Sequence, residues 1–564
     1  QFATIYLNQT IAGAFSVWNA EIIRLTLGGS RVFGSSANEE IYGGEGADEV
    51  EGGGGADILT GFLGNDILRG GDGNDNFQIL PNTALTASIA GGGQIANTPG
   101  DTIDYSAQAT VTVNFGPDAF NGITQIESVR GNGTDSTLNG PTSGNANWTV
   151  TGLNTGSVAD GSATMGFEGF NYLAGGSGDD TFTVAGGSLR NVATGLTGLI
   201  QGGGGTNTLS VLLTGPETGQ VNYLGSTGTD NIVITGTAGT YNGAYTPGAA
   251  PADYDRLAYT SATNVTFTVG YRDVDTVQTD RTLATLTVNG SANTETITLG
   301  TGTFAVGTRT PVNYANVANV TVNGQAGSDT VNLNNFSIGG TLRLTAETVT
   351  GNGLLTANTL ILDNVGQFGA SGALIQTNLD TLQLINTGLV YIDEDNGLNL
   401  NTTGAVTNSG VFNIAGTTNI NAGGGSLTLD NALNDFDTVI VSNAASINLR
   451  DSNSIGSGSI TADEITLRTA TGIGSGPDVF TPVSLLSTSA SSLNVLNDNG
   501  DVFIANSRPV SASVITQGNI HFTNEGTLTI RQLNANGGGQ TDTGTLGGNI
   551  YLSVNNGSAY GNPA

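Results

Sequence analysis

Residues 34–78 read GSSANEEIY GGEGADEVE GGGGADILT GFLGNDILR GGDGNDNFQ, five consecutive segments of nine. The pattern GGxGxDxUx, with U apolar, is complete in the second, third and fifth. The fourth carries Phe62 in place of one glycine, and the first is degenerate, with Glu39 at the aspartate position. The apolar position recurs at Ile41, Val50, Leu59, Leu68 and Phe77. Each GGxGxD is a turn whose glycines permit positive φ and close approach of backbone. Each xUx is a short strand whose middle side chain points into a core. Two such segments make one coil, so turns two segments apart stack.

The chemistry of the turn follows from its residue types. Asp48, Asp57, Asp66 and Asp75 occupy the sixth position and supply carboxylate oxygens. Backbone carbonyls of the glycine turns (Gly43, Gly44, Gly46; Gly52, Gly53, Gly55; Gly61, Gly64; Gly70, Gly71, Gly73) supply further hard oxygens. Such a set suits Ca2+. Asp48 is expected to work with the turn Gly61–Gly64, and Asp57 with Gly70–Gly73. This gives two or three interior sites.

These nonapeptides resemble the RTX (hemolysin-type calcium-binding) repeat. The resemblance implies a parallel β-roll that binds calcium on a secreted protein. Single copies return farther on: GGSGDDTFT at 175–183, GSTGTDNIV at 225–233 and GQAGSDTVN at 324–332. They offer Asp180, Asp230 and Asp329 as further calcium ligands, but an isolated copy has no identical loop to stack on and reads better as a solenoid corner in which Asp bonds its own backbone. In GGGGTNTLS (202–210), Asn207 stands where the aspartate would be.

Outside the nonapeptides, short β-branched runs such as VTVNF (111–115), NVTFTV (264–269), TLRL (341–344), TLIL (359–362) and TVIV (438–441) alternate with Gly, Asn, Asp, Ser and Thr. Helical periodicity is absent over any long window. Strand starts in the last 230 residues or so recur at about 16–22 residues, a plausible rung of a solenoid. The stretches 145–213, 434–476 and 498–530 resemble repeat units of very large bacterial surface proteins of the filamentous-haemagglutinin and β-strand-repeat type. That resemblance implies a right-handed parallel β-helix in an adhesin, matrix or filament component. We therefore expect an all-β chain, a parallel β-roll followed by a right-handed parallel β-helix (β-solenoid). Its expected parts are a cap or assembly segment (1–33), the calcium-binding roll (34–78), a solenoid with RTX-like turns (79–335) and a regular parallel β-helix (336–564).

Composition narrows the function. The 564 residues include 88 Gly, 46 Asp plus Glu, 14 Arg plus Lys (all Arg), one His and no Cys, for a net charge of −32. An acidic surface argues against nucleic acid. No apolar run is long enough for a membrane span. The absence of Cys excludes a disulfide framework and thiolate metal sites. A polyanion of this kind needs cations to screen it, which fits calcium outside the cell. Gln1-Phe2-Ala3 lacks the features of a signal peptide, and we expect a piece of a larger secreted protein.

Enzyme chemistry lacks a constellation. His521, in GNIHFTNEG, lacks the neighbours of a Tyr-Gly-x-Asp-Pro-His-like motif and reads as a strand-face residue, Arg272 and Arg281 read as a salt-bridged strand edge, and the acidic run 393–397 reads as a solvated turn. The expectation is a non-enzymatic extracellular or cell-surface protein, an adhesin stalk or a filament or matrix subunit. Its partners would be other copies, joined head to tail, or other surface and matrix components. A polysaccharide lyase or epimerase with an RTX module, and a surface-layer lattice protein, are the alternatives.

Overall fold

The computed structural model describes residues 4–7, 15–17, 22–25, 29–81, 88–93, 100–115, 123–215, 217–236, 240–250, 253–477, 482, 484–535, 550–555 and 559–561. They are all β, dominated by parallel pairs, with no helix. The chain divides into two compact units, Gln1–Thr282 with Val312–Asn316, and Leu283–Pro311 with Val317–Ala564.

In the first unit the nonapeptides alternate between two parallel sheets, because each xUx strand is followed by a turn that reverses the chain. One column runs Ile41, Leu59, Phe77, Ile103, Val129, each in register with the next. The opposing column runs Val32, Val50, Leu68, Ile89. All nine are at most 1% exposed. The apolar side chains predicted to face inward do so, and the two columns extend beyond the last complete nonapeptide in both directions. Of the apolar stretch expected as a cap, most lies outside the described residues. Thr4–Leu7 runs parallel to both Phe15–Val17 and Arg31–Phe33.

Farther along the first unit the same stacking continues with longer coils. Trp148, Phe182, Leu209, Ile232, Val277 and Val312 form one column in register. The sequence pattern does not announce the antiparallel excursions that lengthen these coils. One comprises Asn147–Gly152, Thr155–Ala159 and Thr164–Glu168, and another Tyr241–Thr246, Asp255–Ser261 and Thr266–Arg272. Asn154 and Asn264, both at positive φ, make two of their reversals, a conformation asparagine tolerates better than most residues.

The second unit is the more regular. Leu286, Val320, Leu342, Leu360, Leu382, Leu400, Ile420, Val441 and Ile460 stack in one column. Ile297, Val331, Val349, Phe368 and Val390 form a second. Residues between these positions alternate outward, which explains the Thr- and Asn-rich punctuation of the sequence. One antiparallel pair, Thr296–Gly300 with Thr303–Val306, interrupts the pattern.

Because each coil rests only on its neighbours, a core deletion is not diluted across a wide interior. Leu382→Ala, at a fully buried position, should destabilise the second unit by about 3 kcal/mol. Leu433→Ala, at a position 64% exposed, should change stability by less than about 0.5 kcal/mol. Urea unfolding curves check both.

Candidate metal centre

The turns of the first unit carry a device that the sequence pattern only hints at. The Asp57 Oδ1 accepts the backbone N–H of Glu39 at 2.7 Å. The Asp75 Oδ1 accepts that of Asp57 at 2.8 Å, and the Asp101 Oδ1 that of Asp75 at 2.7 Å. Glu127 Oε2 ends this series by accepting the Asp101 N–H at 2.9 Å. On the opposite side Asp48 accepts the Ser30 N–H at 2.6 Å, and Asp66 the Asp48 N–H at 2.9 Å. Each carboxylate thus ties its own coil to the one before.

The second oxygens differ from turn to turn. Asp48 Oδ2 accepts the Gly44 N–H of its own turn at 2.9 Å. The Oδ2 atoms of Asp57, Asp75 and Asp101 are buried and accept no hydrogen bond. Their surroundings are built from the first glycine of each turn. A Cβ on Gly52 would meet Asp57 Oδ2 and the Gly70 carbonyl; on Gly70, Asp75 Oδ2 and the Gly91 carbonyl; on Gly91, Asp101 Oδ2 and the Gln125 carbonyl. Three successive cradles therefore hold a carboxylate oxygen and a carbonyl oxygen from the next coil. No Arg or His pairs with these aspartates among the described residues.

Oxygen facing oxygen with no donor between them suits a hard cation. The donor set of the repeats therefore fits calcium. The ligands would be single carboxylate oxygens from stacked turns together with turn carbonyls. Among the described residues no three acidic or imidazole side chains converge on one point. Asp48 and Gly43 stack on Gly61 and Asp66, and Asp57 and Gly52 on Gly70 and Asp75, as the spacing predicts.

Burial pushes Asp57 and Asp101 up to about 7, against the pull of the N–H groups they accept; the nearby Asp75 carboxylate adds to both shifts. Burial likewise raises Asp75 and Asp66.

The single copies differ from one another. Asp180 accepts the Ala146 N–H at 2.6 Å through Oδ1 and the Gly176 N–H at 2.8 Å through Oδ2. Asp230 accepts Tyr223 OH at 2.8 Å and Asn207 Nδ2 at 3.3 Å on Oδ1, and the Ser226 N–H at 2.8 Å on Oδ2. Both carboxylates are occupied by internal donors. In the second unit Asp329 accepts the Glu295 N–H at 3.0 Å and donates its own N–H to Glu347 at 2.7 Å. Its Oδ2 is buried without a partner. Asn207 shows how such a corner closes with no ion. Its Oδ1 accepts the Asp180 N–H at 3.0 Å, and its Nδ2 donates to the Gly204 carbonyl at 3.1 Å.

Asp101 and Glu127 escape the sequence reading because each lies 26 residues from its stack neighbour instead of 18. The one legible signal is Gly91-Gly92-Gly93 followed by Gly100-Asp101, a nonapeptide turn split by an insertion. Two other expectations need correcting. Glu394 is not solvated: it is 1% exposed, and its Oε2 accepts Thr377 Oγ1 at 2.8 Å and the Leu379 N–H at 3.0 Å. Arg281 is not at a strand edge: it is 1% exposed, lies 4.0 Å from the Tyr241 ring centroid and donates to the Leu213 carbonyl at 2.8 Å. Arg272 does pair with Asp273, at 3.1 Å.

Comparison with known families agrees with the turn geometry. The family model described as RTX calcium-binding nonapeptide repeat (4 copies) matches residues 42–77 and 165–188. These repeats are calcium-binding motifs. Its second match falls within the stretch 145–213 and includes Asp180. A model described as repeats of unknown function (DUF5649) matches residues 376–443, in the regular part of the second unit. No curated protein matches the chain.

Two predictions follow from the turns. In the calcium-free folded chain Asp57 and Asp101 retain protons up to about 7, whereas in the unfolded chain they lose them near about 4. The folded state therefore binds more protons across that window, and its stability falls as pH rises from about 4 to about 7. Calcium replaces the proton, so the calcium-induced rise in Tm should be larger at pH 7.5 than at pH 5, as read by thermal melts with calcium or chelator. Gly73 sits at φ 148, where a Cβ would overlap the Gly55 carbonyl, whereas Gly339 has no positive φ and open space around it. Gly73→Ala should destabilise by about 2 kcal/mol or more, and Gly339→Ala should be neutral or stabilise by about 0.5 kcal/mol, measured by denaturant unfolding.

Proposed function

We propose that the chain is a non-enzymatic extracellular structural protein, an adhesin stalk or a filament or matrix subunit, whose calcium-bound turns stiffen a β-solenoid at the cell surface. The observation that carries this reading is the stack of buried carboxylates at Asp57 and Asp75, each with an open oxygen on a glycine cradle. An ion there joins consecutive coils, which links calcium concentration to mechanical integrity. Folding would then wait for the millimolar calcium of the outside, and the net charge of −32 would keep the chain soluble until it gets there.

Further support comes from the residues that could have served catalysis. His521 lies in the strand Ile520–Glu525, 5% exposed, with ring centroids 6.0 Å from Phe503 and 4.5 Å from Tyr551. It packs as one member of an aromatic stack. Glu394 and Arg281 are likewise committed to internal contacts. No helix among the described residues is long and apolar enough to cross a membrane.

The test is calcium removal. With free calcium at a hundred times its Kd, each site should add about 2.7 kcal/mol. Chelation should open residues 34–78 to protease while the second unit keeps its far-UV circular dichroism. Electron micrographs with calcium should show elongated particles or filaments that disperse on chelation. Unchanged protease resistance, or release of shortened or unsaturated sugars from acidic polysaccharides, would overturn the reading.

A further inference from the structure

The three glycine cradles of the first unit are chemically alike, yet only the first two involve glycines and aspartates of the nonapeptides. The third is built by Gly91, Asp101 and Gln125, all beyond the matched residues 42–77. Asp101 is 0% exposed, its Oδ1 holds the Asp75 N–H, and its Oδ2 is buried with no partner. Where a Cβ on Gly91 would stand, Asp101 Oδ2 and the Gln125 carbonyl both point in. Glu127, one coil on, holds the Asp101 N–H through Oε2. The backbone register is that of the repeats: Gly92 lies opposite Gly71, and Ile103 lies opposite Phe77 on one side and Val129 on the other.

From this geometry we infer that a divalent cation site of the calcium type lies past the end of the repeats, formed by Asp101 with the Gln125 carbonyl beside Gly91, and with Glu127 holding the Asp101 backbone in place. The site rests on the calcium reading of the nonapeptides, since it repeats their oxygen arrangement with different residues. Its consequence is that calcium ties down the junction where nine-residue segments give way to longer coils. The ion stitches Thr102–Asp104 and Ser128–Arg130, both beyond the regular spacing, onto Asn76–Gln78, the strand of the last nonapeptide.

Asp101→Asn separates this site from the others without deleting the corner. Its Oδ1 can keep the Asp75 N–H, and its Nδ2 can donate to the Gln125 carbonyl, as Asn207 does to Gly204. Full-length chain, Asp101→Asn and Asp57→Asn should be compared by equilibrium dialysis against radioactive calcium at saturation, with hydrogen exchange on the same samples. Asp101→Asn should bind one ion fewer than the parent chain. Calcium should slow exchange at 88–93 and 100–104 in the parent chain and leave it unchanged in Asp101→Asn, while 52–57 stays calcium-responsive in both. Equal ion counts for parent and Asp101→Asn, with fewer for Asp57→Asn, would overturn this site alone. Equal counts for all three would overturn the calcium reading of the turns and this site with it. Should Asp101→Asn fail to fold, the parent chain decides: exchange at 100–104 that ignores calcium rules the site out.

Discussion

The turns at Asp57, Asp75 and Asp101 depend on one arrangement: a buried carboxylate that accepts the backbone N–H of the preceding coil with one oxygen and has nothing to bond with the other. The first bond fixes the stacking of turns. The second oxygen is a liability, because an unpartnered buried carboxylate oxygen costs a few kcal/mol or more. Ionised neighbours about 4.8 Å apart along a stack would repel by on the order of 3 kcal/mol per pair at an effective dielectric of about 20. Either protons or cations must answer that cost, and at neutral pH in calcium the cation is the better answer. The chain also shows a solution in which internal donors take the place of an ion. Asn207 closes the same corner with its own amide, and Asp230 does so with a tyrosine hydroxyl and an asparagine amide.

The apolar columns supply the complementary constraint. Ile41 to Val129 in one sheet and Val32 to Ile89 in the other keep register while the coil grows from 18 residues to 26 and beyond. In the longer coils farther along, extra residues leave as antiparallel excursions, and the chain returns to the same inward position. A solenoid tolerates this because each coil needs only its two neighbours. The second unit uses the same logic with few carboxylates at its corners; Asp329 between Glu295 and Glu347 is the place where the carboxylate stack reappears.

The roll was legible in the sequence because glycine, aspartate and apolar positions recur at a fixed interval, and each residue type there has one physical reason. The all-β parallel class was legible from short β-branched runs and the lack of helical periodicity. Asp101 and Glu127 were not, since an insertion breaks the interval while leaving three-dimensional register intact. Nor were the fates of Asp180, Asp230 and Asp329 separable: similar turn motifs differ in which donors reach the carboxylate, the Gly176 N–H for Asp180, and Tyr223, Asn207 and the Ser226 N–H for Asp230. Glu394 and Arg281 were misread because local sequence does not show which charged residue a neighbouring coil will cover.

The most direct test of the account is a crystal structure of the full chain grown in calcium, with anomalous diffraction data that locate the ions. The account predicts anomalous peaks in the cradles at Gly52 and Gly70, within coordination distance of Asp57 Oδ2 and Asp75 Oδ2 and of carbonyls from the next coil. Empty cradles at saturating calcium, or aspartates turned outward to solvent, would contradict it.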